Sequence, residues 1–267
     1  MLNDKIKREY AYWSDLYASS AEKWFEEQVT KTELTTYFRR EFNRAENMLH
    51  QQLNHPARVL IIGAGMGALS AWCSGNYPEW EIVSTDLITK GLSAHRTVAR
   101  LMGYQYESHL VVSNWDLLPF KDGSFDLCFA DRCLHHMDDP IKSLSSIAKS
   151  IRPGGVLIAL REPTIAIAHP ETKRKFGEEA RKAGANEHIW YLNEWRHFFT
   201  KAGFRLKVRI HLEDCFRFYR GWGPRVPGIR KLLRLFPLVV TERLLFPYVW
   251  YYGSTNISKF TFYAVRE

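Results

Sequence analysis

The stretch VLIIGAGMGA, residues 59–68, decides the fold of this 267-residue chain. Its first four residues are all apolar, which is typical of a strand buried on both faces, as the strands of a parallel sheet are. The glycines that follow allow a tight turn and let a ligand approach main-chain N–H groups. The helix expected next would direct the positive end of its dipole at that ligand. The stretch therefore predicts a strand, a ligand-binding turn and a helix.

The rest of the chain predicts further strands. Four apolar runs fit buried strands, at residues 82–84, 109–112, 125–130 and 156–160. The segments between them are long enough for crossover helices, a pattern that indicates βαβ units and a parallel sheet. Later, apolar and basic residues alternate at 204–210, and the last run of the chain, at 259–265, is also strand-like. We therefore predict an α/β fold, a Rossmann-like doubly wound sheet that is mostly parallel and closed by an antiparallel C-terminal strand pair.

The chain divides into three parts by composition. Residues 1–55 are rich in charges and in aromatics at helical spacing, and they predict an N-terminal helical cap of two amphipathic helices. The core of the fold is assigned to residues 56–214 and 258–267. A short turn would be enough to connect the last two strands. Residues 215–257 are therefore counted as a basic aromatic insertion between them.

The insertion carries seven basic residues against one acidic residue, which accounts for most of the net charge of +8. Within it, residues 229–236 place apolar and cationic side chains on different faces of a helix. Three interpretations stay open. The insertion packs on the enzyme or on a second copy in a homo-oligomer, it covers a bulky, apolar or anionic acceptor as a lid, or it makes a peripheral membrane contact.

Composition excludes several other classes of protein. A hydrophobic content of 46% and a charged content of 25% describe a globular chain and exclude intrinsic disorder. The four cysteines form no C-x-x-C pair, so neither a zinc site nor a disulfide framework is predicted. The charged amino terminus lacks the apolar core of a secretory signal, and no apolar stretch has the length of a spanning helix. We expect a cytoplasmic protein, with contact at the inner face of the membrane left open.

An aspartate completes the first cofactor signal. Asp86 follows the second predicted strand, nineteen positions beyond Gly67. At that position its two carboxylate oxygens can accept hydrogen bonds from ribose hydroxyls. The glycine loop also satisfies the pattern G-x-G-x-x-A from Gly63 to Ala68, so an NAD(P)-dependent oxidoreductase stays open as an alternative.

Four later segments point to one family. The signatures LPF at 118–120, DGSFD at 122–126, LHH at 134–136 and RPGG at 152–155 follow the glycine loop in this order. With these gaps, residues 59–162 resemble the class I S-adenosylmethionine-dependent methyltransferases, particularly their small-molecule branch. The resemblance implies S-adenosyl-L-methionine as the cofactor. It gives no assignment to either end of the chain.

The resemblance also implies which residues bind that cofactor. The glycines would pack against its methionine and ribose, Asp86 would hold the ribose, and the segment around residue 114 would contact the adenine. Asn114 stands where the family usually has aspartate; its carbonyl can still accept from the adenine amino group. This departure is the one hint of a noncatalytic binding protein with the same fold. The implied residues are Gly63, Ala64, Gly65, Gly67, Asp86, Leu87, Asn114, Trp115 and Asp131.

Methyl transfer from a sulfonium is a displacement on an already activated carbon, so the protein must chiefly align the acceptor and exclude water. A base is needed only where the acceptor loses a proton. His136 is the first candidate for this base, with His135 and His188 as further candidates, because imidazole titrates in the useful range. We therefore predict transfer to a small-molecule or lipid-like metabolite, with oxygen slightly preferred.

Two other kinds of chemistry are weighed against this prediction. The chain lacks both the N/D-P-P-Y/F motif and the Pro-Cys nucleophile of nucleic-acid methyltransferases, so no nucleic-acid partner is predicted. Asp131, Asp138, Asp139 and Glu162 could gather around Mg²⁺ to lower the pKa of an acceptor hydroxyl. Their spacing does not require this, and no metal is predicted.

Overall fold

The computed structural model describes residues 4–17, 20–30, 33–49, 57–166, 170–183, 186–210 and 257–267. The strands are β1 (Arg58–Ile62), β2 (Glu81–Asp86), β3 (His109–Val112), β4 (Phe125–Asp131), β5 (Ile151–Ile165), β6 (Trp190–Tyr191), β7 (Phe204–Ile210) and β8 (Ile257–Arg266). The helices are α1 (Asp4–Leu16), α2 (Ala21–Trp24), α3 (Leu34–Leu49), α4 (Ala68–Asn76), α5 (Thr89–Ser93), α6 (His95–Leu101), α7 (Pro140–Ser150), α8 (Pro170–Ala183) and α9 (Leu192–Lys201).

All described strands join one mixed sheet in the order β3-β2-β1-β4-β5-β8-β7, with the short β6 also paired to β5. Strands β1 to β5 pair in parallel, whereas β8 runs antiparallel to both β5 and β7. The predicted doubly wound sheet with an antiparallel C-terminal pair is confirmed. In such a sheet the parallel strands end at a common edge, and ligands bind at the crevice where the strand order reverses, here between β1 and β4.

The apolar run of β1 is buried because helices cover both faces of the sheet. Val59 and Ile61 belong to a core shared with α3 and α4, whereas Leu60 and Ile62 belong to a core shared with α7 and α9. All four side chains are at most 1% exposed. Burial on both faces explains why the run lacks the alternation of a half-exposed strand.

The N-terminal region differs from the prediction of two helices. It forms α1, a short α2 that continues as a π-helical turn over Phe25–Thr30, and α3. The second helix begins where it does because the Ser20 hydroxyl accepts a hydrogen bond from Lys23 N at 3.2 Å, a typical N-cap. Helix α3 packs into the main core, where the rings of Phe42 and Trp72 lie 4.5 Å apart.

Strand β5 is also longer than predicted, since it extends on both sides of residues 156–160. Its register against β4 shifts between Phe125 and Leu127, next to Gly154, whose φ is 77°. The insertion 215–257 lies outside the described residues apart from Ile257, and the predicted domain boundaries stay predictions. Within the described part of the chain, no helix combines the length and apolarity needed to cross a membrane.

A buried carboxylate fastens α3 to the antiparallel strand pair. Glu41 is 1% exposed. It accepts hydrogen bonds from Arg209 at 2.5 Å and Arg44 at 3.0 Å, and from the hydroxyls of Thr261 at 3.3 Å and Tyr263 at 3.4 Å. The two guanidinium groups compensate the buried charge, and the contacts join α3, β7 and β8.

We predict that Glu41→Gln lowers the free energy of unfolding by about 1–3 kcal/mol, because the amide retains the shape but loses charge-assisted acceptors to Arg44 and Arg209. Urea denaturation measures the change. Glu46→Gln, at an exposed position of the same helix, is the control and should change stability by less than about 0.5 kcal/mol. Equal stability of the two variants would contradict the role given to Glu41.

Candidate active site

The glycine turn between β1 and α4 has a backbone that other residues rarely adopt. Gly63 has a φ of 59° and Gly67 a φ of 91°. A Cβ atom on Gly63 would lie 2.6 Å from Cβ of Cys133, and one on Gly67 would lie 2.5 Å from the ring of His95. Both positions therefore require glycine, and the turn lies close against its neighbours.

Asp86, the last residue of β2, fixes the glycine turn. Its Oδ2 accepts a hydrogen bond from Gly65 N at 2.8 Å, and its Oδ1 accepts one from Ile88 N at 2.8 Å. The residue is 9% exposed, and burial raises the pKa of its carboxyl in spite of these backbone hydrogen bonds. Each carboxylate oxygen retains a lone pair, so a ribose hydroxyl can still donate to it.

Helix α1 also contributes side chains to this place, although no sequence motif indicates that it would. Glu9, Trp13 and Tyr17 are spaced four residues apart, on one face of α1 or just beyond its end. All three line one cavity together with the glycine turn. The Tyr17 hydroxyl lies 3.0 Å from the point that a Cβ on Gly65 would occupy. The i, i+4, i+8 spacing was the available signal, but no motif connected it to the glycine loop.

The turn after β4 is organised by a second buried carboxylate. Glu162 of β5 is 0% exposed and accepts hydrogen bonds from the backbone N–H groups of Cys133 at 2.9 Å, Leu134 at 3.0 Å and His135 at 3.2 Å. It also contacts Nδ1 of His135 at 2.9 Å. These four contacts fix the position of the histidine pair that follows β4.

His136 is held by α1 and by the segment after α8. Its Nδ1 lies 2.9 Å from Glu9 Oε1 and 3.1 Å from the carbonyl oxygen of Asn186. Since both neighbours are acceptors, Nδ1 carries the proton. Burial alone would lower the pKa of His136, but the hydrogen bond and charge of Glu9 raise it. For His135, burial and the neighbouring His136 lower the pKa.

The acidic residues that were weighed as a Mg²⁺ cluster have other partners. Asp131 forms a two-point ion pair with Arg161, with Oδ1 2.8 Å from Nε and a second contact to Nη2. The guanidinium of Arg161 also lies 4.8 Å from the ring centroid of Tyr37. Asp139 caps α7 by accepting from Lys142 N at 3.1 Å. These carboxylates therefore serve the local structure.

One cavity of about 890 Å³ connects these elements, which is within the range of small-molecule sites. It brings together most of the predicted residues: Gly63, Ala64, Gly65, Asp86, Leu87, Asn114, Trp115, Asp131, His135 and His136. Gly67 and His188 are not part of its lining. Gly67 starts α4 instead, and the His188 backbone N–H donates to the His135 carbonyl at 3.0 Å.

The predicted adenine-side segment is a short 3₁₀ turn over Trp115–Leu117. The Asn114 side chain caps this turn, since its Oδ1 accepts a hydrogen bond from Asp116 N at 3.0 Å. Aspartate, the usual family residue, could make the same capping contact. Asparagine in place of aspartate at position 114 therefore preserves the local fold.

His95 supports the glycine turn from behind and was missed by the sequence analysis. One ring nitrogen, Nε2, lies 3.0 Å from the Gly65 carbonyl oxygen, and Nδ1 lies 2.6 Å from the Tyr106 hydroxyl. The side chain is 0% exposed, and burial lowers its pKa to about 4 from an ordinary value of 6.5. The folded protein therefore keeps this imidazole neutral at pH values at which the unfolded chain protonates it.

We predict that the stability of the protein falls as the pH falls from 6.5 towards 4, in part through His95, because only the unfolded state binds the proton in this window. Over that range the wild type should lose up to about 1.4 kcal/mol per pH unit more than His95→Gln. Urea denaturation at a series of pH values measures the difference. The exposed His197→Gln should follow the wild type, and parallel curves for wild type and His95→Gln would refute the prediction.

Comparisons with known proteins match the part of the chain that contains most of these residues. Residues 60–159 match the family described as "Methyltransferase domain". The ubiquinone/menaquinone biosynthesis C-methyltransferase UbiE of Vibrio vulnificus is 34% identical over 104 residues, which cover 39% of this chain and 40% of that protein. A malonyl-(acyl-carrier protein) O-methyltransferase of Methylococcus capsulatus is 32% identical over 105 residues, 38% of this chain and 36% of that protein. The match thus covers about two-fifths of each of these relatives.

Solved structures share the fold over a longer range. Geranyl diphosphate C-methyltransferase from Streptomyces coelicolor has a TM-score of 0.65 at 11% identity and covers 99% of both chains. Phosphoethanolamine N-methyltransferase 2 of Haemonchus contortus has a TM-score of 0.56 at 17% identity, over 94% of this chain and 60% of that one. At these identities the likeness concerns the fold. Together with this fold, the sequence match shows that residues 60–159 are similar to a methyltransferase domain.

Proposed function

We propose that this protein transfers a methyl group from S-adenosyl-L-methionine to a small-molecule acceptor. The observation that carries the proposal is a single cavity with the glycine turn and Asp86 on one part of its lining and the histidine pair on another. A methyl donor and an acceptor must meet in one water-poor space for an in-line displacement. The cavity has room for both.

The donor's side of the cavity fits an adenosyl cofactor. The glycines of the turn carry no side chains, so a ligand can lie close to the backbone there, and α4 begins at the end of the turn. The N–H groups of Ala64, Gly65 and Gly67 already donate within the protein and hold the turn in shape. Asp86 is already oriented by two backbone hydrogen bonds, so its remaining lone pairs can accept from ribose hydroxyls without reorganisation. When bound, the cofactor would supply an electrophilic methyl group; this chain's residues would bind it and orient it.

The acceptor's side is assigned to the histidine pair and to α1. His135 and His136 each have Nδ1 beside a carboxylate, which leaves Nε2 of each ring for an acceptor group. The ring of Trp13 packs edge-on against the ring of His136, with a centroid distance of 5.4 Å. This packing helps to exclude water. We propose transfer to oxygen, since these groups can assist the loss of a hydroxyl proton; the named relatives include both C- and O-methyltransferases.

Cofactor binding gives the first test. Calorimetry with S-adenosylhomocysteine should show one site per chain, and Asp86→Ala should weaken binding by about 10- to 100-fold, the equivalent of one or two lost charge-assisted hydrogen bonds. Asp122→Ala changes an exposed carboxylate and is the control. Thermal melting checks that Asp86→Ala is folded, with Asp86→Asn as a second variant. Binding of NAD(H) or NADP(H) but not of S-adenosylhomocysteine would support the oxidoreductase instead.

Catalysis requires a separate readout, because a noncatalytic protein with this fold would also bind the cofactor. The wild type should transfer a radiolabelled methyl group from S-adenosyl-L-methionine into a metabolite extract. At a donor concentration below its dissociation constant, Asp86→Ala should transfer about 10- to 100-fold less, in proportion to its weaker binding. Labelled product from the wild type also identifies the acceptor and the methylated atom. Tight cofactor binding without any transfer would favour the noncatalytic alternative.

We further propose a peripheral membrane contact through residues 215–257, supported by the seven basic residues and the aromatic content of that segment. The full chain should sediment with vesicles of acidic phospholipid at low salt and dissociate at high salt, because the attraction is electrostatic. Replacing Arg230, Lys231 and Arg234 together by glutamine should abolish sedimentation. A control variant replaces Arg39, Arg96 and Lys201, which lie outside the segment. Failure of the wild type to bind these vesicles would exclude the contact.

A further inference from the structure

We propose that His135, His136 and Glu187 bind a divalent transition-metal ion in the cavity. One nitrogen of each imidazole and one carboxylate oxygen of Glu187 lie within 4.8 Å of one another. Two imidazoles and a carboxylate are a ligand set that proteins use for Zn²⁺ and Fe²⁺, often with positions left open for substrate. All three residues line the cavity.

The two histidines are oriented as metal ligands usually are. Nδ1 of His135 lies 2.9 Å from Glu162, and Nδ1 of His136 lies 2.9 Å from Glu9. A ligating histidine almost always has its other ring N–H on a carboxylate or carbonyl, which fixes the ring and makes it a better donor. Here each ring has its own carboxylate, so Nε2 is the ligand atom. Both side chains are more than nine-tenths buried.

Hydrogen bonds of its two neighbours bring Glu187 to the histidines, which lie about fifty positions earlier in the chain. On one side of it, the Asn186 side chain donates to the His136 carbonyl at 3.1 Å, and the Asn186 backbone N–H donates to Glu9 at 2.8 Å. On the other side, the His188 N–H donates to the His135 carbonyl at 3.0 Å. The residues around Glu187 are therefore fixed to the same turn that bears the two imidazoles.

This donor set differs from the acidic group considered for Mg²⁺. Glu162 already accepts four hydrogen bonds, and Asp131 is paired with Arg161. Nitrogen ligands favour ions of the Zn²⁺ type, whereas Mg²⁺ prefers oxygen. Glu187 follows His136 by 51 positions, so no ligand spacing in the sequence indicates this set.

The function of such an ion rests on the proposed methyl transfer, although its binding does not. A bound ion would act as a Lewis acid that lowers the pKa of an acceptor hydroxyl. The Nε2 of His136 cannot bind the ion and accept a proton at the same time. In the metal-bound protein, His136 is therefore a ligand, and the predicted base role does not apply to it.

Titration of the full chain, purified without a histidine tag and treated with a chelator, tests this proposal. Zn²⁺ should bind with one ion per chain, and Co²⁺ should give the visible absorption of a site with nitrogen ligands. Glu187→Gln should weaken the binding of Zn²⁺ by at least about 10-fold. Glu9→Gln, which leaves all three ligands in place, should weaken it by about 10- to 100-fold. His197→Asn removes an exposed imidazole elsewhere and should change nothing.

Absence of stoichiometric Zn²⁺ binding by the wild type would overturn the proposal. So would equal affinities of the wild type and Glu187→Gln when melting shows that both are folded. A chain that binds S-adenosylhomocysteine but no ion would retain the proposed function without the metal site. A chain that binds the ion but not S-adenosylhomocysteine would retain the metal site without the proposed function.

Discussion

The hydrogen bonds from Gly65 N and Ile88 N to the carboxylate of Asp86 are the interactions on which the rest of the site depends. They join the turn after β1 to the end of β2, so the glycine loop and the carboxylate that we propose for ribose binding have one fixed geometry. A buried carboxylate is costly unless it is hydrogen-bonded. The protein meets that cost with main-chain donors, and His95 supports the same loop from the other side.

A second carboxylate has the same role on the other side of the cavity. Glu162 of β5 orders the turn after β4 and, with it, the histidine pair. Glu9 belongs to α1, so its contact with His136 connects the histidine pair to that helix. Three buried or half-buried carboxylates, on β2, β5 and α1, therefore position the main parts of the cavity. The antiparallel strands and α3 are joined separately, through Glu41.

The sequence predicted the sheet well because the relevant signals are local. The apolar run at 59–62 and the glycines after it specify a buried strand and a turn without reference to distant residues. The cofactor-side residues from Gly63 to Asp131 were placed by family resemblance, and most of them line one cavity. Gly67 does not, because it starts α4, where a side chain would meet His95 instead of the cavity.

The residues that could not be predicted are those whose role depends on long-range contacts. Glu9 and Glu187 reach the histidine pair from segments that are separated from it by 127 and 51 positions in the chain. His95 was equally hidden, since a lone histidine in a helix carries no signal of the carbonyl that it contacts. The start of α2 depends on a single N-cap at Ser20.

We propose that the edge of the sheet between β1 and β4 binds an adenosyl cofactor and presents it to the histidine pair. A crystal structure of the protein with S-adenosylhomocysteine tests this most directly. We predict ribose hydroxyls on Asp86 and the sulfur directed towards His135 and His136. Cofactor density that avoids Asp86, or a sulfur turned away from the histidines, would contradict the account.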